Sequence, residues 1–254
     1  MQIDTRNIDD IKAIEINDHT LAFYAGRDWT RIRDEPNWLD DGAMKLGIAT
    51  YAIYKNNKAV IYDTFADIRQ AKWVRNYLEN VGIKQFTVVL SHWHLDHIAG
   101  NEVYKDCNII SNALTRELLF KNKSDKILLA GDTLEDSITY IDEAENLVEH
   151  VKNLQKLKQL SLLSILPNHG DPNVIEDGGY DKTLIDATIN YITRMVSRAH
   201  DKDFLKSSMK SYLREEFELG WIHYYEPYEE VHSENLIKVY DYYKNKQPPS
   251  FSEF

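Results

Sequence analysis

The chain has 254 residues, 43% of them hydrophobic and 28% charged, an ordinary globular balance. Its 41 acidic residues against 30 basic ones give a net charge of −11 with no Lys/Arg block, which argues against nucleic acid as a partner. The start lacks the apolar run of an export signal, no later segment approaches the ~20 apolar residues of a membrane span, and one cysteine, Cys107, excludes an intrachain disulfide framework. The expectation is a cytoplasmic protein acting on a small molecule, with no membrane partner and room for a homo-oligomer.

The first third alternates apolar and polar residues in "IKAIEI", "HTLAFYA", "GIATYAIY" and "KAVIYDTF", with Asn56-Asn57 as a turn between the last two. These read as antiparallel strands. The spacing then changes to Ile68, Ala71, Val74, Leu78 and Val81, a helical face that stops at Gly82. "QFTVVL" is a short buried strand running into "SHWHLDHIAGN". Beyond it the pattern predicts a short helix over 98–104, a strand at "CNII", a helix over 112–120, a strand at "KILLAGDT", a helix over 143–160 and a strand in "LLSILPNHGDP". From Asp181 the chain is helical, with Leu184, Tyr191, Ile192, Met195, Val196 and Ala199 in one stripe and further helices over 204–217 and 228–243.

The ionisable residues collect at strand ends. His92 and His94 are two apart after a strand, so an extended backbone points both imidazoles to one side, where they can share a metal. Asp96 and His97 follow as the chain turns and can serve a neighbouring position. Imidazole nitrogen with carboxylate oxygen suits zinc, and also manganese or iron.

The run His92-Trp93-His94-Leu95-Asp96-His97 resembles the HxHxDH signature of the metallo-beta-lactamase superfamily. Asp63 in "VIYDTF", Asp132 in "LLAGDTLE" and His169 in "LPNHGDP" match three further landmarks of that family in order. The resemblance implies an α/β fold, an αββα sandwich over residues 1–180 with a helical C-terminal part over 181–254 packed on it. It further implies one or two divalent metal ions. His92 and His94 would hold the first, Asp96, His97 and His169 the second, with Asp132 bridging and Asp63 bracing the loop. Its implied chemistry is hydrolysis of an ester, thioester, lactone or amide in a small molecule by a hydroxide on the metal, which Asp96 would orient. Competing readings are an iron-dependent oxidoreductase and a metal-poor binding protein of the same fold.

One departure stands out. The family places a third histidine for the first metal between His97 and Asp132, yet residues 98–131 contain none. Two versions follow: a lost ligand, with His223 or His232 as substitutes, or an absent segment near Lys123-Ser124. The aromatic stretch "GWIHYYEPYEEVHSEN" reads as a helical cap packing its rings, or as a pocket wall carrying Tyr225, Tyr228 or His232.

Overall fold

A computed structural model describes residues 11–27, 35–92, 94–111, 127–247, 249 and 251. The helix expected over 112–120 lies outside them. The chain divides into two compact units, one of the residues up to Gly131 together with Leu166–Gly179, the other of Asp132–Ile165 and the residues from Tyr180 onward.

In the first unit six strands form one mixed sheet in chain order: β1 (Lys12–Asn17), β2 (Thr20–Ala25), β3 (Ile48–Lys55), β4 (Lys58–Tyr62), β5 (Gln85–Leu90) and β6 (Asn108–Ser111). β1 to β4 pair antiparallel, and Asn56 supplies the positive φ of the β3–β4 turn, a conformation asparagine tolerates. β4, β5 and β6 pair in parallel, with helix α1 (Ile68–Asn80) as the first crossover. Asp67 caps α1 by accepting from the Arg69 amide at 2.7 Å, and Gly82 follows it with φ 98°.

The alternation expected of the strands has a different outcome on each face. Leu21, Phe23, Ile48, Ala52, Ile61, Val88 and Leu90 join Ala71, Val74 and Leu78 of α1 in the core. The opposite residues of β2 and β3, among them Ala22, Tyr24, Ala49 and Tyr51, are buried as well. These two strands are covered on both faces, and the second face carries tyrosines whose hydroxyls need acceptors. Tyr24 donates to the Gly170 carbonyl at 3.1 Å and Tyr51 to that of Pro167. Burial, with some help from Tyr24, pushes the Tyr51 phenol well above its usual value, so it remains a donor.

The predicted helix over 98–104 is instead two short pieces, α2 (Leu95–Ile98) and a 3-10 turn at Asn101–Tyr104. Gly100 separates them. A Cβ there would lie 2.1 Å from the Thr64 carbonyl oxygen, so only glycine permits this approach of the loop to the end of β4. "KILLAGDT" gives β7 (Ile127–Gly131) and "LLSILPNHGDP" gives β8 (Ser164–Pro167), the two strands of a small second sheet. α3 (Leu147–Lys158) and α4 (Pro172–Glu176) complete the elements in that part of the chain.

In the second unit the predicted stripe is the buried face of α5 (Thr183–Arg198), which packs on α3 and on α6 (Tyr228–Tyr243). The helix expected over 204–217 is broken into a 3-10 turn at Lys202–Lys206 and short helices at Met209–Tyr212 and Arg214–Glu218. Ser208 causes one break: its side chain caps the Ser211 amide and so restarts the helix.

Candidate metal centre

The site residues of the first unit sit on three segments that each directly follow a strand end. Asp63 directly follows β4. Ser91 and His92 directly follow β5, and Asn168 and His169 follow β8. Asp63 and Phe65 both adopt positive φ, 65° and 64°, although neither is glycine and both are buried. Such a backbone costs on the order of 1 kcal/mol per residue, and the hydrogen bonds of Asp63 offset it.

Asp63 is almost completely buried and accepts from four donors. Its Oδ1 takes the Ser91 amide at 2.7 Å; its Oδ2 takes Ser91 Oγ at 2.7 Å, His97 Nδ1 at 3.0 Å and the Asn168 side-chain amide. A carboxylate can only accept, so His97 carries its proton on Nδ1 and its lone pair on Nε2. His169 is fixed in the same sense by a backbone carbonyl, its Nδ1 lying 2.5 Å from the Gly47 oxygen. The strand end that carries it is held by the Ala49 amide donating to the Asn168 carbonyl at 2.7 Å, and by the Asn168 amide donating to Gly131 at 3.2 Å. Tyr24 and Tyr51 hold the same segment, as described above.

The other sides of these rings meet. His97 Nε2 and His169 Nε2 each lie 3.4 Å from Asp96 Oδ2, and one ligand atom from each of the three residues falls within 4.8 Å of the others. Burial raises the Asp96 carboxyl, but hydrogen bonds from His169 and His97, which require a proton on the Nε2 of each ring, outweigh it and hold the group well below the usual carboxylate range. Three electron-pair donors so close repel one another unless positive charge is shared among them, as protons or as a metal ion. The donor set therefore fits a divalent cation of the zinc type, with nitrogen and oxygen ligands and acceptors bracing the imidazoles from behind.

His92 and His94 lie beside this group. Their ring centroids are 4.3 Å apart, and His92 is 4.4 Å from the His97 ring, so the two imidazoles lie close together. Asp132 is the first residue of the second unit, one peptide bond beyond Gly131. A Cβ on Gly131 would lie 3.2 Å from Ser91 Cβ, so the end of β7 passes directly beside the residue preceding His92.

In the second unit His223 donates its backbone amide and Nδ1 to Asp136, at 2.7 and 2.9 Å, and Tyr180 gives the same carboxylate its hydroxyl at 2.7 Å. His232 is buried against Tyr191 and Tyr212, with Nδ1 3.0 Å from the Tyr191 hydroxyl, to which Asn235 also donates, and Tyr228 donates to buried Glu135 at 3.0 Å. These contacts of Tyr228 and His232 all lie within the second unit. Ser91 and Asn168 were missed by the sequence reading. Each directly precedes a candidate ligand, and that adjacency was the available signal.

Residues 44–113 match the family model described as the metallo-beta-lactamase superfamily. Among solved structures, the chain is similar to a metallo-beta-lactamase from Pontibacter korlensis, with TM-score 0.52 and 13% identity over 72% of this chain and 98% of that one. It is also similar to the DIM-1 metallo-beta-lactamase exposed to ceftazidime, with TM-score 0.48 and 14% identity over 70% of this chain and 97% of that one. No curated protein matches by sequence. The matched segment contains the whole histidine run, and the mixed α/β architecture is that of the Pontibacter protein. The family-model match is confined to that segment, and the likeness to the Pontibacter structure is one of fold. No helix among the described residues is long and apolar enough to cross a membrane.

Proposed function

We propose that this chain is a metal-dependent hydrolase of a small-molecule ester, thioester, lactone or amide, with zinc as its metal and the reducing cytoplasm as its setting. The observation that carries the reading is the convergence of His97 Nε2 and His169 Nε2 on Asp96 Oδ2, each at 3.4 Å. Asp96, His97 and His169 would hold one ion, His92 and His94 another, and Asp132 would serve both. A divalent ion held there supplies Lewis acidity toward a carbonyl oxygen and an attacking water. Asp96 would orient that water by accepting a hydrogen bond from it at a carboxylate oxygen, and the Asp63 and Gly47 acceptors keep the Nε2 atoms of His97 and His169 aimed inward.

The two positions are unequal. Residues 98–131 contain no histidine, so the position of His92 and His94 draws on three protein ligands and that of Asp96, His97 and His169 on four. The second position should fill first. The lactam specificity in the names of similar structures does not extend to this chain at 13–14% identity, because substrate choice resides in loops rather than in the ligand motif.

The test is metal analysis by mass spectrometry on protein purified without chelator, followed by turnover of ester, thioester, lactone and lactam panels. The wild type should retain zinc and hydrolyse at least one panel. Asp96→Ala should remain folded and lose turnover by at least about 100-fold, the order of effect of removing one well-placed catalytic group. Full turnover in that variant at full metal content would refute the assignment.

A further inference from the structure

Asp63 touches His97 directly, and it reaches His92 through another side chain. Ser91 Oγ lies 2.7 Å from Asp63 Oδ2 and 2.9 Å from His92 Nδ1. A hydroxyl has one proton and two lone pairs, and a carboxylate only accepts. The Ser91 proton is therefore committed to Asp63, and what Ser91 presents to the imidazole is a lone pair. At 2.9 Å the partner must donate, so His92 carries its proton on Nδ1 and its lone pair on Nε2.

We propose that Ser91 is a positioning residue through which Asp63 fixes the tautomer of His92, so that one buried carboxylate orients a ligand of each metal position. The two routes differ in length. His97 is set by a direct bond at 3.0 Å, His92 by a two-bond relay, and both end on the same Asp63 oxygen. The relay compensates where compensation is most needed: the His92 position has the smaller ligand set, so a ring in the wrong tautomer there removes a larger share of its donors. That consequence for metal binding rests on the function proposed above, whereas the relay itself does not.

Ser91→Ala isolates the relay, because the Ser91 amide to Asp63 Oδ1 bond belongs to the backbone and survives the substitution. The measurement is the histidine ring-nitrogen NMR pattern of metal-free protein, at a pH where the imidazoles are neutral. Wild-type His92 and His97 should both show a protonated Nδ1. In Ser91→Ala, His92 should change to a mixture rich in the Nε2–H form while His97 keeps its pattern. Zinc affinity at the weaker position should fall by about 10- to 100-fold, the usual effect of losing a bracing partner. Wild-type His92 protonated on Nε2 would overturn the proposal without any variant. So would a Ser91→Ala protein in which His92 retains its Nδ1 proton, or in which His92 and His97 change together. If the His92 ring changes as expected but wild-type protein takes up no metal, the relay stands and the hydrolase reading fails.

Discussion

Asp63 in the first unit and Asp136 in the second are the same device turned to different ends. Both are buried carboxylates that accept a histidine Nδ1 together with other donors. Around Asp63 the imidazole is wholly enclosed, and its far nitrogen lies 3.4 Å from another carboxylate. Around Asp136 the other donors are the Tyr180 hydroxyl and a backbone amide, and the His223 side chain is 45% exposed. The first network aims electron pairs at a shared point; the second ties a loop to an aromatic stretch. A histidine held by a buried aspartate is thus not by itself the mark of a metal centre. What distinguishes the two is what the far side of the ring meets.

The comparison breaks most sharply on the two carboxylates themselves. Asp63→Ala and Asp136→Ala should each lower the unfolding free energy by about 3–5 kcal/mol, because each strands several buried donors. Only the first should also strip the metal. Urea unfolding of metal-free protein, with metal content measured per folded molecule, separates the two effects. Metal loss in Asp136→Ala would erase the distinction.

A smaller effect concerns His232. Burial lowers its pKa from 6.5 to about 4, with Glu229 and the Ser207 backbone opposing. The unfolded chain therefore binds this proton at higher pH than the folded one does. Stability should be unaffected above pH 6.5, fall as pH drops from 6.5 to about 4, and level off below, a total of about 3 kcal/mol. His232→Gln should remove that part of the acid sensitivity, seen as the difference between wild-type and variant unfolding curves at pH 7.5 and 4.5. An unchanged difference would mean that the ring is not held neutral. The smallest effect is expected at Asp67→Ala, which deletes the cap of α1. It should cost about 1 kcal/mol in thermal unfolding and leave metal content alone, since the cap touches none of the ligands.

The sequence made four candidate ligands legible because His92, His94, Asp96 and His97 sit in one run with fixed spacing. The strands were legible because alternation and turn residues coincide at Asn56-Asn57. Less could be read where long-range contact decides the matter. β2 and β3 alternate in pattern yet are buried on both faces, since their tyrosines face a segment more than 100 residues away in the chain. The helix after the histidine run splits at Gly100 because the Thr64 carbonyl is there, which no local pattern reveals. Asp67 was readable in principle, as an aspartate directly before a helical stripe. The roles of Ser91 and Asn168 depend on Asp63 lying between them, a fact of tertiary structure alone.

Tyr24 and Tyr51 have a consequence for how the site comes into being. Tyr24 meets Gly170 across 146 residues and Gly47 meets His169 across 122, so the late histidine is placed by the earliest strands. During synthesis, His92 to His97 leave the ribosome roughly 70 residues ahead of His169, with their own sheet already behind them. Closing loops this long is entropically slow, and His169 docks only when β2 and β3 have paired to present the Tyr24 hydroxyl and the Gly47 carbonyl. The placement of His169 therefore depends on the pairing of β2 and β3, and a chain that fails to close these strands keeps every candidate ligand in its sequence without bringing them together.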